Sequence, residues 1–333
     1  MKTLKPHLVD TYDRHLNYLR VSITDRCNLA CIYCKPDRCV PKLEHKEILS
    51  YEEILRLMRI VIPLGITKVR LTGGEPLVRK GVCDFISTLT ALDGLKDVSL
   101  TTNGIFLKDK LKRIKEAGIR RLNVSLDSLD RKKYQEITGF DGFQKVWEGL
   151  DMARKMGFDP IKVNVVVMRG INDNELLDFA RLTFKYPYHV RFIEYMPIGV
   201  SESDHPFKYM PTSLLQEKIN SFRKLIPVPR GPNDGPSQRF RFEESLGEIG
   251  FISPMSHHFC RTCNRLRLTA SGQLRPCLLS NRQTDIRGPL RSGASDHELA
   301  DIFRKAALSK EAEHHLTPEH PLGKISQMSS IGG

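Results

Sequence analysis

Tyr18-Leu19-Arg20-Val21-Ser22-Ile23-Thr24-Asp25-Arg26-Cys27-Asn28-Leu29-Ala30-Cys31-Ile32-Tyr33-Cys34 is the stretch on which the reading of this chain turns. Its first half alternates as a strand does, and the loop leaving the strand carries three thiols spaced Cys-x3-Cys-x2-Cys. Three thiolates hold three irons of a four-iron cluster. With no fourth cysteine beside them, one iron keeps an open position where a substrate binds. A zinc site wants four protein donors in paired spacings, so zinc is the competing reading and lacks an obvious fourth ligand here.

Working outward, the chain has 333 residues, enough for one large α/β unit or two linked ones. With 40% hydrophobic and 27% charged residues it reads as an ordinary globular protein, without a run long enough to cross a bilayer. The first ten residues lack the apolar core and cleavage site of a secretion signal, so a cytoplasmic home is expected. The excess of 52 basic over 39 acidic side chains favours an anionic partner. Composition alone does not choose among nucleic acid, a phosphorylated small molecule and an acidic membrane face, but dispersed basic residues and a single Trp argue against nucleic acid, so the surplus is expected to line a pocket and solvate the surface. Six of the eight cysteines fall into two triplets, while Cys39 and Cys83 stand alone with no role assigned. In a reducing compartment such clusters bind metal rather than forming disulfides.

Strands are expected at Tyr18–Thr24, Lys68–Thr72, Asp97–Thr101, Arg120–Leu126, Ile161–Val167 and His189–Tyr195. Between them helices are expected from a Ser50/Glu53 capping box to about Val61, and near 79–91, 108–117, 142–156 and 173–185, with Gly118 and Gly157 as stops. Six strands alternating with helices imply parallel pairing with right-handed crossovers. After Pro197 this rhythm stops. Ile226–Pro236 reads as an exposed connection, followed by short strands around Gln238–Phe242 and Gly247–Ile252. Cys260-Arg261-Thr262-Cys263 then precedes a strand Asn264–Thr269, a Ser271-Gly272 turn, and Cys277 on the returning strand. A capping box at Ser295/Glu298 opens a helix to about Leu308. The chain thus divides into residues 1–197 and 198–333.

The first triplet, its preceding strand and Gly73-Gly74-Glu75-Pro76 after the second strand together resemble the radical S-adenosylmethionine (SAM) superfamily. By itself the glycine loop reads equally as a tight turn or as backbone bared for a ligand. The resemblance selects an incomplete (β/α)6 TIM-like barrel over a flat doubly wound sheet, with a C-terminal α+β extension. It implies a [4Fe-4S] cluster on Cys27, Cys31 and Cys34, and SAM held near Tyr33, Gly74, Ser125 and Met196. In such a barrel chemistry gathers at the C-terminal strand ends. Those ends carry Gly73-Gly74-Glu75-Pro76, Thr101-Thr102-Asn103-Gly104, Ser125-Leu126-Asp127 and Glu194-Tyr195-Met196-Pro197.

The second triplet, Cys260-x2-Cys263-x13-Cys277, is again one donor short, and a zinc ribbon completed by His257 or His258 competes for it. The segment Phe259 to Ala270, with Asp25-Arg26-Cys27 and the terminal Gly332-Gly333, is similar to the GTP 3′,8-cyclase family of molybdenum cofactor biosynthesis. That resemblance implies a second [4Fe-4S] cluster on Cys260, Cys263 and Cys277, with GTP against its open iron. It places Arg20, Lys68, Arg70, Thr101, Lys162, Arg191, Arg265 and Arg267 around the nucleotide, with Gly332 and Gly333 as a tail into the pocket. Arginine forks suit bidentate phosphate contacts, and Lys68/Arg70 and Arg265/Arg267 each share a strand face. The implied reaction removes hydrogen from ribose C3′ with a 5′-deoxyadenosyl radical and joins C3′ to guanine C8. Implied partners are an external electron donor, a second copy of the chain and the downstream cyclic pyranopterin monophosphate synthase. Two rivals stay open: another radical SAM maturase with an auxiliary cluster, and a zinc-stabilised nucleic-acid-binding module.

Overall fold

The computed structural model describes residues 7–34, 42–196, 198, 205–229, 231, 235–314, 316 and 328–332. Cys39, Pro197 and Gly333 lie outside them. Six parallel strands follow one another in chain and in space: β1 (Tyr18–Ser22), β2 (Lys68–Thr72), β3 (Asp97–Thr102), β4 (Leu122–Ser125), β5 (Ile161–Val167) and β6 (Tyr188–Glu194). Each is returned by helix: α1 (Tyr51–Val61), α2 (Val82–Thr90), α3 (Leu107–Glu116), α4 (Arg131–Thr138) with α5 (Phe143–Lys155), and α6 (Leu176–Lys185). Ser50 caps α1, its side chain accepting from Glu53 N at 3.1 Å while Glu53 returns the bond.

Strand alternation sorts the two faces of the sheet. Leu19 and Val21, Val69 and Leu71, and the buried Ile161, Val163, Val165 and Val167 belong to the continuous apolar core with the helices. The intervening Arg20, Arg70, Asn164 and Arg191 face a cavity inside the curved sheet. A period of two therefore yields a greasy exterior for the helices and a basic lumen.

The C-terminal part adds β7 (Ile226–Pro227), β8 (Gln238–Arg241), β9 (Glu248–Ile252), β10 (Arg265–Leu268), β11 (Gln273–Arg275) and β12 (Thr284–Asp285). It does not form a sheet of its own. β9 pairs parallel with β6, and β10 pairs parallel with β1, so the extension docks on both open edges of the six-stranded core. Eight neighbouring strands, from β10 through β9, are parallel, and antiparallel strands flank them on each side. Among the described residues no pairing joins β7 to β12, so the barrel is incomplete, as expected. Residues on either side of the division at 197 contribute to this one sheet.

Several local expectations are corrected. The strand expected at Arg120–Leu126 is shorter, and Cys277 lies two residues beyond β11 instead of on it. Ile226 and Pro227 form an edge strand where only a connection was expected. The two longest helices not expected are α4, capped by Asp130 and stopped at Gly139 with φ +72°, and Thr212–Phe222, which buries Leu215 and Ile219; the short helices His205–Lys208, Arg287–Arg291 and Met328–Ile331 were not expected either. Each of the two longest buries few apolar side chains, which weakens its sequence signal. Among the described residues no helix is long and apolar enough to cross a membrane.

Candidate functional site

The first thiol loop is held from three sides, two of them by backbone bonds and the third by the Asn103 side chain. Ala30 N and Ile32 N donate to the carbonyls of Thr138 and Ile137 at the end of α4, each at 2.9 Å. Gly74 N and Glu75 N donate to Thr24 O and Arg26 O at 2.7 and 2.8 Å. A Cβ on Gly74 would lie 2.4 Å from Arg26 O, and one on Gly73 would lie 2.6 Å from Thr24 O. The paired glycines are thus required by the approach of one backbone to another, whatever ligand they also meet. Gly74→Ala is expected to destabilise the protein by roughly 2–4 kcal/mol and to lower iron uptake at this loop, read by thermal unfolding and iron assay.

Glu75 organises the third side. Its buried carboxylate accepts from Leu77 N (2.9 Å), Thr102 Oγ1 (2.8 Å) and Asn103 N (2.6 Å). Burial raises its pKa to about 7 although these three donors oppose the rise. Asn103, so positioned, donates from Nδ2 to Asn28 Oδ1 at 2.9 Å and approaches Cys27 Sγ at 3.8 Å.

Cys27, Cys31 and Cys34 are all partly buried and carry no disulfide. Burial pushes the Cys31 thiol well above its ordinary value, and Cys34, Asp127 and Cys27 add to the push. Cys31, gathered with Cys27 and Cys34 near a carboxylate, resists ionisation until a cationic centre joins it, so this donor set fits an iron–sulfur cluster. The Leu29 N–H points at Cys27 Sγ at 3.4 Å, the kind of bond that tunes such a centre. Tyr33 donates to Asp127 Oδ2 at 2.6 Å, and Asp127 Oδ1 accepts from Val166 N at 2.8 Å, which fastens the last turn of the loop to β5. Burial raises Asp127 to about 6 despite both bonds.

The second triplet sits around β10 and β11. Cys263 N donates to Cys260 O at 3.0 Å, and the Leu279 N–H points at Cys277 Sγ at 3.4 Å. Burial pushes Cys263 upward, but Arg265 and Lys310 outweigh it and bring the thiol down to about 6. Lys310 Nζ, itself buried, donates to the carbonyls of Arg265 (3.2 Å) and Pro276 (2.5 Å) and so pins the strands that present Cys263 and Cys277. Arg14, paired with Asp10 at 2.5 Å, donates to Cys260 O at 2.7 Å.

His258, Cys260 and His314 have donor atoms all within 4.8 Å of one another. His314 is engaged at both ring nitrogens, Nε2 with Pro254 O at 2.8 Å and Nδ1 with Leu316 N at 3.3 Å. His258 Nε2 lies 3.1 Å from Met255 O, and His257 Nδ1 lies 3.1 Å from Ser256 Oγ. His314 could ligate zinc only by giving up one of its bonds, whereas a bond at one ring nitrogen of His257 or His258 leaves the other for a metal.

One cavity of about 240 Å³ joins the two regions. Tyr33, Ser125 and Met196 line it on the side of the first thiol loop, and Cys260, Cys263 and Cys277 line it from the extension. Arg20, Arg70, Thr101, Arg191, Arg265 and Arg267 complete the wall. Burial and the neighbouring arginines, Arg267 foremost among them, hold the Arg20 pKa well below the usual arginine value. Burial, with Arg265, brings Arg267 to about 10. Packed cations of this kind create a strong field for an anion. Arg267 Nη1 donates to Gly332 O at 2.8 Å, so the C-terminal segment reaches the lumen, where a Cβ on Gly332 would meet Thr72 Oγ1 at 2.6 Å.

Lys68, Lys162, Gly74, Cys27, Cys31 and Cys34 are not among the lining residues. Lys68 bonds Asp97 at 3.1 Å. Lys162 is pulled down to about 6 by burial and by the charges of Arg191, Arg70, Arg121 and Lys68. Glu194, at the end of β6, faces another task. Its carboxylate accepts from Thr212 N (2.9 Å), Met255 N (2.8 Å), Ser256 N (3.0 Å) and Ser256 Oγ, which anchors the extension to the barrel. Asp127, from the strand end Ser125-Leu126-Asp127, also lines the cavity, as do Tyr18 and Asn164, which were not selected from the sequence. Tyr18 shares an inward face with Arg20, a signal the strand alternation already carried.

Residues 21–183 match the Radical SAM superfamily, and residues 188–316 match Molybdenum Cofactor Synthesis C. GTP 3′,8-cyclase of Moorella thermoacetica is 49% identical over 324 residues, covering 97% of this chain and 99% of its own. The chain belongs to the GTP 3′,8-cyclase family. Its cyclase relatives include that of Heliobacterium modesticaldum, 46% identical over 98% of this chain and 100% of its own, and that of Thermodesulfovibrio yellowstonii, 47% identical over 97% and 99%. Like them it is a radical SAM enzyme, with SAM and a [4Fe-4S] cluster as its cofactors. Streptococcus suis SuiB bound to S-adenosylmethionine shares the fold at TM-score 0.61 and 14% identity, over 88% of this chain and 69% of that one. The protein titled anSMEcpe with bound AdoMet does so at TM-score 0.57 and 14% identity, over 91% and 94%.

Proposed function

We propose that this cyclase takes GTP into the cavity between its thiol triplets and that both triplets hold [4Fe-4S] clusters. The observation that carries the reading is that Cys260, Cys263 and Cys277 share one basic cavity with Tyr33, Ser125 and Met196. Cys27, Cys31 and Cys34 would hold the first cluster, with SAM among Tyr33, Gly74, Ser125 and Met196. Cys260, Cys263 and Cys277 would hold the second, with guanine against it. When bound, SAM and the first cluster supply a 5′-deoxyadenosyl radical to take hydrogen from ribose C3′.

The chain's own contribution is to hold the nucleotide still. Arg265 and Arg267 would orient the nucleoside end, and Lys68, Arg70, Lys162 and Arg191 would take the phosphates, with Arg20 and Thr101 between. Cations crowded together repel one another until an anion joins them, and a triphosphate carries about four negative charges. The Gly332–Gly333 tail would help exclude water and seat Arg267. Residues 1–197 then serve as the radical SAM part and 198–333 as the substrate-binding extension. An external electron donor, a homodimeric state, a cytoplasmic setting and hand-off to cyclic pyranopterin monophosphate synthase complete the reading.

Lys162 gives a test with a defined sign. Its pKa of about 6 lies below the ordinary 10.5, so the free amine is neutral at pH 8. A phosphate beside it restores the charge, so binding GTP at pH 8 is expected to take up about one proton. Calorimetry in two buffers of different ionisation enthalpy reads that uptake, and Lys162→Met should remove most of it. Buffer-independent heats, or no GTP binding, would count against the assignment.

A further inference from the structure

We infer that Tyr18 is a substrate contact whose hydroxyl donates a hydrogen bond to a phosphate oxygen of the bound nucleotide. The inference rests on the nucleotide reading above and adds a residue to it. Tyr18 opens β1, aligned with Lys68 on β2 and with Arg265 on β10. Its side chain lines the cavity and the residue is 4% exposed. Lys68 Nζ lies 5.0 Å from the ring centroid and Arg70 Cζ lies 5.7 Å from it, so cations clamp the ring in place.

The hydroxyl, by contrast, has no hydrogen-bond partner among the described residues. Buried phenols generally find one, and an unmet one is costly. The acid aligned with Lys68 on the next strand, Asp97, is already engaged by Lys68 at 3.1 Å and by Arg121. Around Tyr18 stand Arg70, Arg20, Lys68 and Arg265, side chains that offer only donors. A group able to satisfy the phenol there without competing with those cations must accept hydrogen bonds and carry negative charge. Phosphate oxygens do both, whereas the guanine edge and the ribose hydroxyls also donate. Burial pushes the phenol's pKa up, yet those four cations together outweigh burial and pull it below the usual tyrosine value, which makes its proton a better donor.

Tyr18→Phe removes the hydroxyl and keeps the ring that Lys68 and Arg70 flank. In anaerobically reconstituted protein without SAM, the variant is expected to bind GTP about tenfold more weakly. Tripolyphosphate should lose affinity by a similar factor, and guanosine should bind unchanged. Iron content and circular dichroism matching the parent protein would show that the variant is folded. Should folding suffer, Tyr18→Trp compared across the same three ligands replaces it, with the loss again expected for the two phosphate-bearing ones. Equal GTP affinity in a folded variant, or a loss for guanosine as large as for GTP, would overturn the phosphate contact. Parent protein that binds neither GTP nor tripolyphosphate would overturn the nucleotide reading, and this contact with it.

Discussion

Replacing Cys260, Cys263 and Cys277 together by alanine is expected to cut cyclised product at least ~100-fold while leaving cleavage of SAM in place. The separation follows from geometry. The first thiol loop is held by α4, by the glycine loop and by Asn103, none of which touches the second triplet through a bond found here. The second triplet instead forms part of the wall around the cavity. Without it the nucleotide loses its anchor, and hydrogen abstraction loses its aim. Iron should fall from about eight to about four per chain. Iron content unchanged in the triple variant, or zinc in place of iron in the parent, would contradict the second cluster.

Glu194→Leu is expected to be among the most damaging single changes outside the thiols. One buried carboxylate satisfies donors from Thr212, Met255 and Ser256, which belong to two separate segments of the extension. Leucine leaves buried N–H groups without acceptors, at a cost of roughly 3–5 kcal/mol. Because Met255 and Ser256 lie a few residues before Cys260, the variant should also take up less iron at the second triplet. Chemical unfolding and iron assay together check this, and a loss below about 1 kcal/mol would show that other contacts hold the extension.

These expectations show what could be read before the fold was known. Cysteine spacing is local, so both triplets stood out, and strand alternation paired Lys68 with Arg70 and Arg265 with Arg267 on shared faces, while Arg20 and Arg191, which line the cavity, were picked out by family resemblance. The docking of β9 and β10 on opposite edges of the core was not legible, because pairing between distant strands leaves no local pattern. That docking brings the second triplet to the cavity. Helix α4 was missed because Tyr134, Ile137 and Thr138 are its only buried side chains, yet its last carbonyls hold the first thiol loop. Gly73 and Gly74 read equally as a tight turn or as backbone bared for a ligand, and the contact that requires them is with residues 24–26. Glu194, read as part of a functional strand end, lines the cavity and also anchors the extension. Lys68 and Lys162 were picked out by the family resemblance, and they are not among the residues lining the cavity, since the depth at which a strand residue sits depends on the curvature of the sheet.

The proposed function requires one cavity to hold a nucleotide between two metal-binding thiol triplets, with ribose C3′ exposed to hydrogen abstraction. Anaerobic turnover of reconstituted protein with SAM, a reductant and GTP deuterated at C3′, followed by mass analysis, tests it most directly. The expected products are 5′-deoxyadenosine carrying the deuterium and a cyclised nucleotide that has lost it from C3′. Unlabelled 5′-deoxyadenosine with GTP recovered intact would contradict the proposed function.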